Sequence, residues 1–205
     1  MMMKFKFSLL ILIVILISVP CYAKDFSISL SGGIGYDRGV WESGRAISLT
    51  GKMSQSSMTW GAAIQVIYDK WEWQPTLEIS YRHSEYDFSN WQAHIQEAKP
   101  DIFSGRIGLT KDFQNFSAYG LFGMTRIYHN ARLFETIPLL NHGSHDCQDN
   151  VFSMKFGIYR LWRDGIFKLG PELSLEIFPE RPGFERCRNF HTNRFVPFLW
   201  LRSQW

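Results

Sequence analysis

Phe195-Val196-Pro197-Phe198-Leu199-Trp200-Leu201-Arg202-Ser203-Gln204-Trp205 is the stretch on which the fold turns. Phe195, Leu199, Leu201 and Trp205 fall on one face, with Pro197 and Ser203 filling the gaps, so the segment has the period of two that belongs to a strand. A strand with a continuous apolar face and an aromatic end needs either a sheet partner or lipid to cover that face.

The same alternation recurs upstream. Phe103, Gly105, Ile107 and Leu109 alternate with Ser104, Arg106, Gly108 and Thr110. Phe167, Leu169, Pro171, Leu173, Leu175 and Ile177 alternate with Lys168, Gly170, Glu172, Ser174 and Glu176, and Leu77, Ile79 and Tyr81 with Glu78, Ser80 and Arg82. Less regular versions run through Phe26 to Tyr36, Arg45 to Met53, Met58 to Tyr68, Phe116 to Tyr128 and Val151 to Trp162. Segments of about ten residues with apolar-out, polar-in alternation mark a transmembrane barrel. A soluble sandwich alternates too, but here the strands are long, the outward face carries no charge across its middle and the chain ends in an aromatic residue. The expectation is an all-β, antiparallel up-and-down transmembrane barrel of about eight strands. Nine segments alternate, and a single chain with both ends on one side needs an even number. Asp37 to Ser57, which contains the Arg45 to Met53 segment, is therefore read as an outer hairpin or an extension of its neighbours, with a missed tenth strand as the alternative.

The start of the chain sets the compartment. Lys4 and Lys6 precede an apolar run from Phe7 to Val19, and Cys21-Tyr22-Ala23 supplies small residues at the cleavage positions of a secretory signal. The run falls short of the roughly 20 residues that cross a bilayer. Residues 1–23 are thus expected to be removed and residues 24–205 to form one barrel domain in the bacterial outer membrane. Loss of Lys4 and Lys6 takes the basic count from 22 to 20 against 19 acidic residues, and this near-neutrality argues against nucleic acid as a partner. The aromatic share of 16% suits girdles at two membrane interfaces.

Short turns are expected at Trp73-Gln74, Gln114-Asn115 and Asp164-Gly165, and long connections at Asp87 to Pro100, His129 to Asn150 and Pro179 to Asn193. Short turns lie on the periplasmic side of such barrels and long loops outside. Cys147 and Cys187, the two cysteines left after cleavage, both fall in the long connections, and a lone pair in an oxidising compartment is more often bridged than free.

Eight strands enclose a bore only wide enough for side chains. Glu78, Arg82, Arg106, Lys155, Lys168, Glu172 and Glu176 point inward by parity and are expected to form a polar network that plugs the lumen. His83, Ser84 and Glu85 are adjacent, but a strand turns Ser84 away from the other two, so no Ser–His pair forms from this local order. His142, Ser144, His145, Asp146 and Asp149 crowd the loop of Cys147, with His191 near Cys187. A disulfide would gather these histidines, yet a solvated polar loop explains them as well. No nucleophile, base and orienter stand together, so no catalytic residue, metal site or cofactor is assigned.

The last eleven residues resemble the C-terminal strand of bacterial outer-membrane proteins, which implies recognition of Phe195, Leu199, Leu201 and Trp205 by the barrel assembly machinery. Met58-Thr59-Trp60, Asp69-Lys70-Trp71 and the stretch Phe116 to Met124 resemble the lipid A deacylase family (PagL-like acyloxyacyl hydrolases). That family carries a His-x-Ser-Asn pattern on its penultimate strand. The matching stretch here reads Leu175-Glu176-Ile177-Phe178-Pro179-Glu180, with neither residue, so no catalytic role carries over. Overall size is similar to that of the Ail-like adhesin and resistance barrels. The functional expectation is a non-enzymatic barrel that contacts lipopolysaccharide or a host or phage surface; a lipid A-modifying enzyme with a rearranged site is the alternative.

A Cys147–Cys187 bridge would close a loop of about 40 residues, worth roughly 3–4 kcal/mol by chain entropy. The double variant Cys147→Ser, Cys187→Ser is expected to insert normally while its outer loops become more sensitive to protease. Thiol labelling of both cysteines on untreated cells would exclude the bridge.

Overall fold

The computed structural model describes residues 25–42, 52–87, 95–133, 145–164, 167–179, 190–191 and 194–205. The expected signal segment 1–23, the loop residues His142 and Ser144, and Cys187 with its bridge to Cys147 lie outside those residues.

Eight long strands follow one another: β1 (Phe26–Glu42), β2 (Lys52–Tyr68), β3 (Trp73–Ser84), β4 (Ile95–Asp112), β5 (Ser117–Leu133), β6 (His145–Tyr159), β7 (Phe167–Ile177) and β8 (Phe195–Gln204). Each pairs antiparallel with its neighbours, and β8 pairs with β1, so the sheet closes on itself. Three short pieces complete the wall: Tyr86–Asp87 beside β4, Trp162–Asp164 beside β7, and Phe190–His191 beside β1. Closure leaves no sheet edge at membrane depth, where an unpaired backbone group costs several kcal/mol.

The register fixes the shape of the barrel. Hydrogen-bonded partners lead from Glu172 on β7 through Trp200, Gly33, Gly61, Arg82, Ile102 and Ile127 to Asp149 on β6. Glu172 itself faces Tyr159 of that same strand, so one circuit climbs ten residues, from 159 to 149. With a strand rise near 3.3 Å and a spacing near 4.8 Å, that stagger tilts the strands by about 40°.

Strands run past the alternating segments seen in the sequence. The β1–β2 hairpin pairs out to Glu42 and Lys52, which places Lys52 and Met53 in β2 and makes the Arg45–Met53 segment in part an extension of that strand; residues 43–51 lie outside the described set. β4 begins at Ile95, β5 reaches Leu133 and β6 starts at His145, so the outer connections are shorter than expected. Above the membrane both faces of a strand meet polar surroundings and alternation fades while pairing continues. Trp73 and Gln74 likewise belong to β3, and the turn before it is formed by residues 69–72.

Outward faces are apolar through the middle of the wall: Ile34, Ile79, Ile107, Phe122, Leu173 and Leu201 are all exposed. Aromatic rings bound this band at both ends. Trp60, Tyr81, Phe103 and Tyr128 touch in series across β2, β3, β4 and β5, with centroids 5.4, 5.0 and 5.8 Å apart. At the turn end Phe26 meets Tyr68 at 5.0 Å, Tyr68 meets Trp71 at 5.4 Å, and Phe113 stacks on Phe116 at 4.8 Å. An uncharged band between aromatic girdles is the exterior of a transmembrane barrel.

Leu173→Arg puts a charge near the middle of this band and is expected to cost about 2–4 kcal/mol of barrel stability. Ser174→Arg turns the same change into a bore already lined with charges and is expected to cost less. The heat- and urea-dependence of the folded gel band measures both; the reverse order would mean that the faces are inverted.

Candidate functional site

Inside the barrel the charged side chains form one ladder of alternating sign. From the outer end it reads Asp37, Arg82, Glu176, Arg106, Glu78, Lys155, Glu172, Arg202. Arg82 Nη2 lies 3.8 Å from Asp37 Oδ2 and Nη1 lies 2.9 Å from Glu176 Oε2. Arg106 binds Glu176 with Nη2 and Glu78 with Nη1, the latter at 2.9 Å. Lys155 Nζ is 2.8 Å from Glu78 and 3.7 Å from Glu172, whose second oxygen accepts from Arg202 Nη1 at 3.0 Å. All eight residues are buried, four acidic and four basic.

Hydroxyls and amides add hydrogen bonds to the middle and the inner half of the ladder. Arg106 also donates to Ser80, Ser104 and Ser153, Gln65 donates to Glu78 at 2.8 Å, and Ser31 donates to Glu172 at 3.2 Å. Tyr119 donates to Glu172 at 2.5 Å. Its ring occupies the space where a side chain on Gly157 would stand, so the glycine is what lets the phenol reach the carboxylate. Aromatic faces line the cations: Lys155 sits 4.6 Å from the Trp200 ring and the Arg202 guanidinium 3.9 Å from the Tyr159 ring. Toward the outer end Ile102, Ile127, Val151, Phe178, Val196, Phe198 and Trp200 form an apolar cluster beside the ladder. The void left beside Arg82, Arg106, Lys155 and Glu176 is about 10 Å³, about the space of one water.

Six of the seven residues assigned inward from the sequence stand in this ladder. Lys168 does not: it is exposed at the turn end of β7, because parity selects a face but not a depth, and the barrel has ended there. Asp37 and Arg202 were missed, and with them in and Lys168 out the count goes from four basic and three acidic to an even four and four. Phe195, Leu199 and Leu201 point outward and are exposed, as their spacing requires.

The outward face carries a second polar grouping at the outer girdle. His83 Nδ1 lies 2.8 Å from Asp101, which also accepts from Tyr81 at 2.6 Å; His83 Nε2 faces Glu85 at 3.3 Å, and the Trp60 ring lies 5.4 Å away. Ser84 is buried and faces the bore, on the opposite side of the strand from His83. Among the described residues no serine is hydrogen-bonded to the His83 ring and no group of three His, Cys, Asp or Glu side chains is placed to hold a metal ion. At the same level Arg38 and Arg126 are exposed, held by Ser54 at 2.6 Å and Asn150 at 2.9 Å.

A closed eight-stranded wall, an apolar exterior between aromatic girdles and a charge-matched core define a transmembrane β-barrel of the bacterial outer-membrane type. No family model and no curated protein matches the chain. Among solved structures it is similar to Ail, the attachment invasion locus protein of Yersinia pestis, in complex with the heparin analogue sucrose octasulfate, at 12% identity and a TM-score of 0.48 over 88% of this chain and 99% of that one. Neisserial surface protein A is similar at 9% identity and a TM-score of 0.49, over 87% and 95% of the two chains.

Arg106→Met removes the cation shared by two buried carboxylates and is expected to cost about 3–5 kcal/mol, the scale for a broken buried pair. Lys168→Met, at the exposed rim, is expected to stay within about 0.5 kcal/mol. Urea titration of the refolded barrel compares them, and equal losses would show that the ladder is not the stabilising element.

Proposed function

We infer that this protein is a non-enzymatic outer-membrane barrel that acts by contact at the cell surface, with lipopolysaccharide or a host or phage surface as its ligand. One observation carries the reading: among the described residues the bore is filled by a neutral ladder with its hydroxyl partners and an apolar cluster beside its outer half, and the void beside Arg82, Arg106, Lys155 and Glu176 is about 10 Å³. Function then falls to the outer rim and the connections it holds. The exposed Arg38 on β1 and Arg126 on β5, at the level of the outer girdle, each offer a guanidinium to a phosphate of lipopolysaccharide.

A second reading, a lipid A acyl hydrolase or acyltransferase, is favoured by the resemblance of Met58-Thr59-Trp60 and Asp69-Lys70-Trp71 to the lipid A deacylases and by the His83–Asp101 pair on the lipid side. That pair supplies a base and its orienter at the depth of acyl-chain attachment, but no described hydroxyl is bonded to its ring.

In planar bilayers the protein is expected to show no steady conductance, and Arg38→Gln with Arg126→Gln to weaken lipopolysaccharide retention several-fold, since each removes a charge-assisted contact. Lipid A mass spectra from cells with and without the gene should coincide. An acyl chain lost only when the gene is present, and retained with His83→Ala, would replace the first reading by the second.

A further inference from the structure

On the lipid side of β7, β8 and β1 the wall is indented by a groove of about 590 Å³, within the range of small-molecule sites. Its floor follows one hydrogen-bonded row: Pro171 opposite Leu201, and Leu201 opposite Gly32. Gly32 points outward with nothing within 4 Å of where a Cβ would be, so the middle of the row lacks a side chain. Trp162 and Ile34 rise at its two ends, and Leu199 flanks it. The same row continues to Arg160, whose backbone N–H donates to the Pro171 carbonyl at 3.2 Å.

Charge singles out that end of the row. Of the other turn-end lysines, Lys70 is paired with Asp25 and Lys111 with Glu72, each at 2.7 Å, and Lys168 lies on the bore side of β7 rather than the lipid side. Arg160 is exposed, its guanidinium 5.9 Å from the Trp162 ring, and among residues whose side chains are described it forms no ion pair. An apolar trough with an unneutralised guanidinium at its foot, on the side of the short turns, fits a molecule with a long hydrocarbon chain and an anionic head. We propose that this groove seats one acyl chain of an anionic glycerophospholipid from the periplasmic leaflet, with its phosphate on Arg160. Lipid A is excluded as the occupant because its phosphates lie at the opposite girdle. A bidentate Arg–phosphate contact beside an aromatic ring holds the head, and the Gly32 gap admits the chain.

The test is native mass spectrometry of the full barrel, released from detergent micelles doped with phosphatidylglycerol or with phosphatidylcholine. The wild type is expected to keep one phosphatidylglycerol and to prefer it to phosphatidylcholine by about tenfold, the equivalent of 1.4 kcal/mol. Gly32→Leu fills open space, so the barrel should fold while retention of either lipid falls about tenfold. Arg160→Gln should keep the lipid and abolish the headgroup preference. Ala118→Leu, in a second lipid-facing groove across β5 to β8, should change nothing. No retained lipid in the wild type, equal retention in Gly32→Leu, or loss only in Ala118→Leu would overturn the assignment. So would a doubled mass that Gly32→Leu returns to the monomer, which would make the occupant a second copy of the chain.

Discussion

Eight strands enclose a bore that must be filled from within, and strand geometry sends every second residue into it. The interaction on which the structure depends is therefore the ladder of acid and base that fills that space. Its members come from β1, β3, β4, β6, β7 and β8, and four of its contacts, Asp37–Arg82, Arg82–Glu176, Glu176–Arg106 and Glu78–Lys155, are cross-braces between strands that share no backbone bond. Charges in a bore without bulk water are tolerable only when each has an opposite neighbour and hydrogen-bond partners besides. The alternation of sign from Asp37 to Arg202 supplies the opposite neighbour at every step.

The ladder and the exterior are two consequences of one periodicity. A residue facing in must be polar and paired, and its neighbour facing out must be apolar, so Leu173 lies in lipid while Glu172 and Ser174 lie in the core. The apolar cluster around Phe178 and Val196 departs from this rule in the outer half of the bore, where its rings pack against Arg82. A barrel filled in this way has its chemistry at its two rims and on its lipid-facing surface.

Period-two alternation made most of the wall legible in the sequence, because burial on one side and lipid on the other force it. What stayed hidden lay where that force weakens. Strand ends were placed too low, since above the girdle neither face needs to be apolar and the β4–β5 hairpin extends to Ile95 and Leu133 without a pattern. Lys168 has the correct parity and the wrong depth. Arg202 could have been found: it shares the inward face of the final strand with Trp200 and Gln204, but reading that strand for its apolar face passed over the other. Asp37 stands one residue beyond the segment that alternates. The His83–Asp101 pair needed the β3–β4 register, which no spacing along the chain reveals.

The hairpins that outrun the membrane also decide how the protein bears load. β5 spans 17 residues and β6, its partner in an outer hairpin, spans 15, against the roughly 9–11 that cross a bilayer. The surplus stands above the outer girdle as a stiff collar. When something grips the tip of such a hairpin and pulls along the barrel axis, the two strands cannot be peeled apart one bond at a time. The pull instead slides the hairpin as a unit against β4 and β7, loading many backbone bonds at once. That is the geometry in which a sheet yields last.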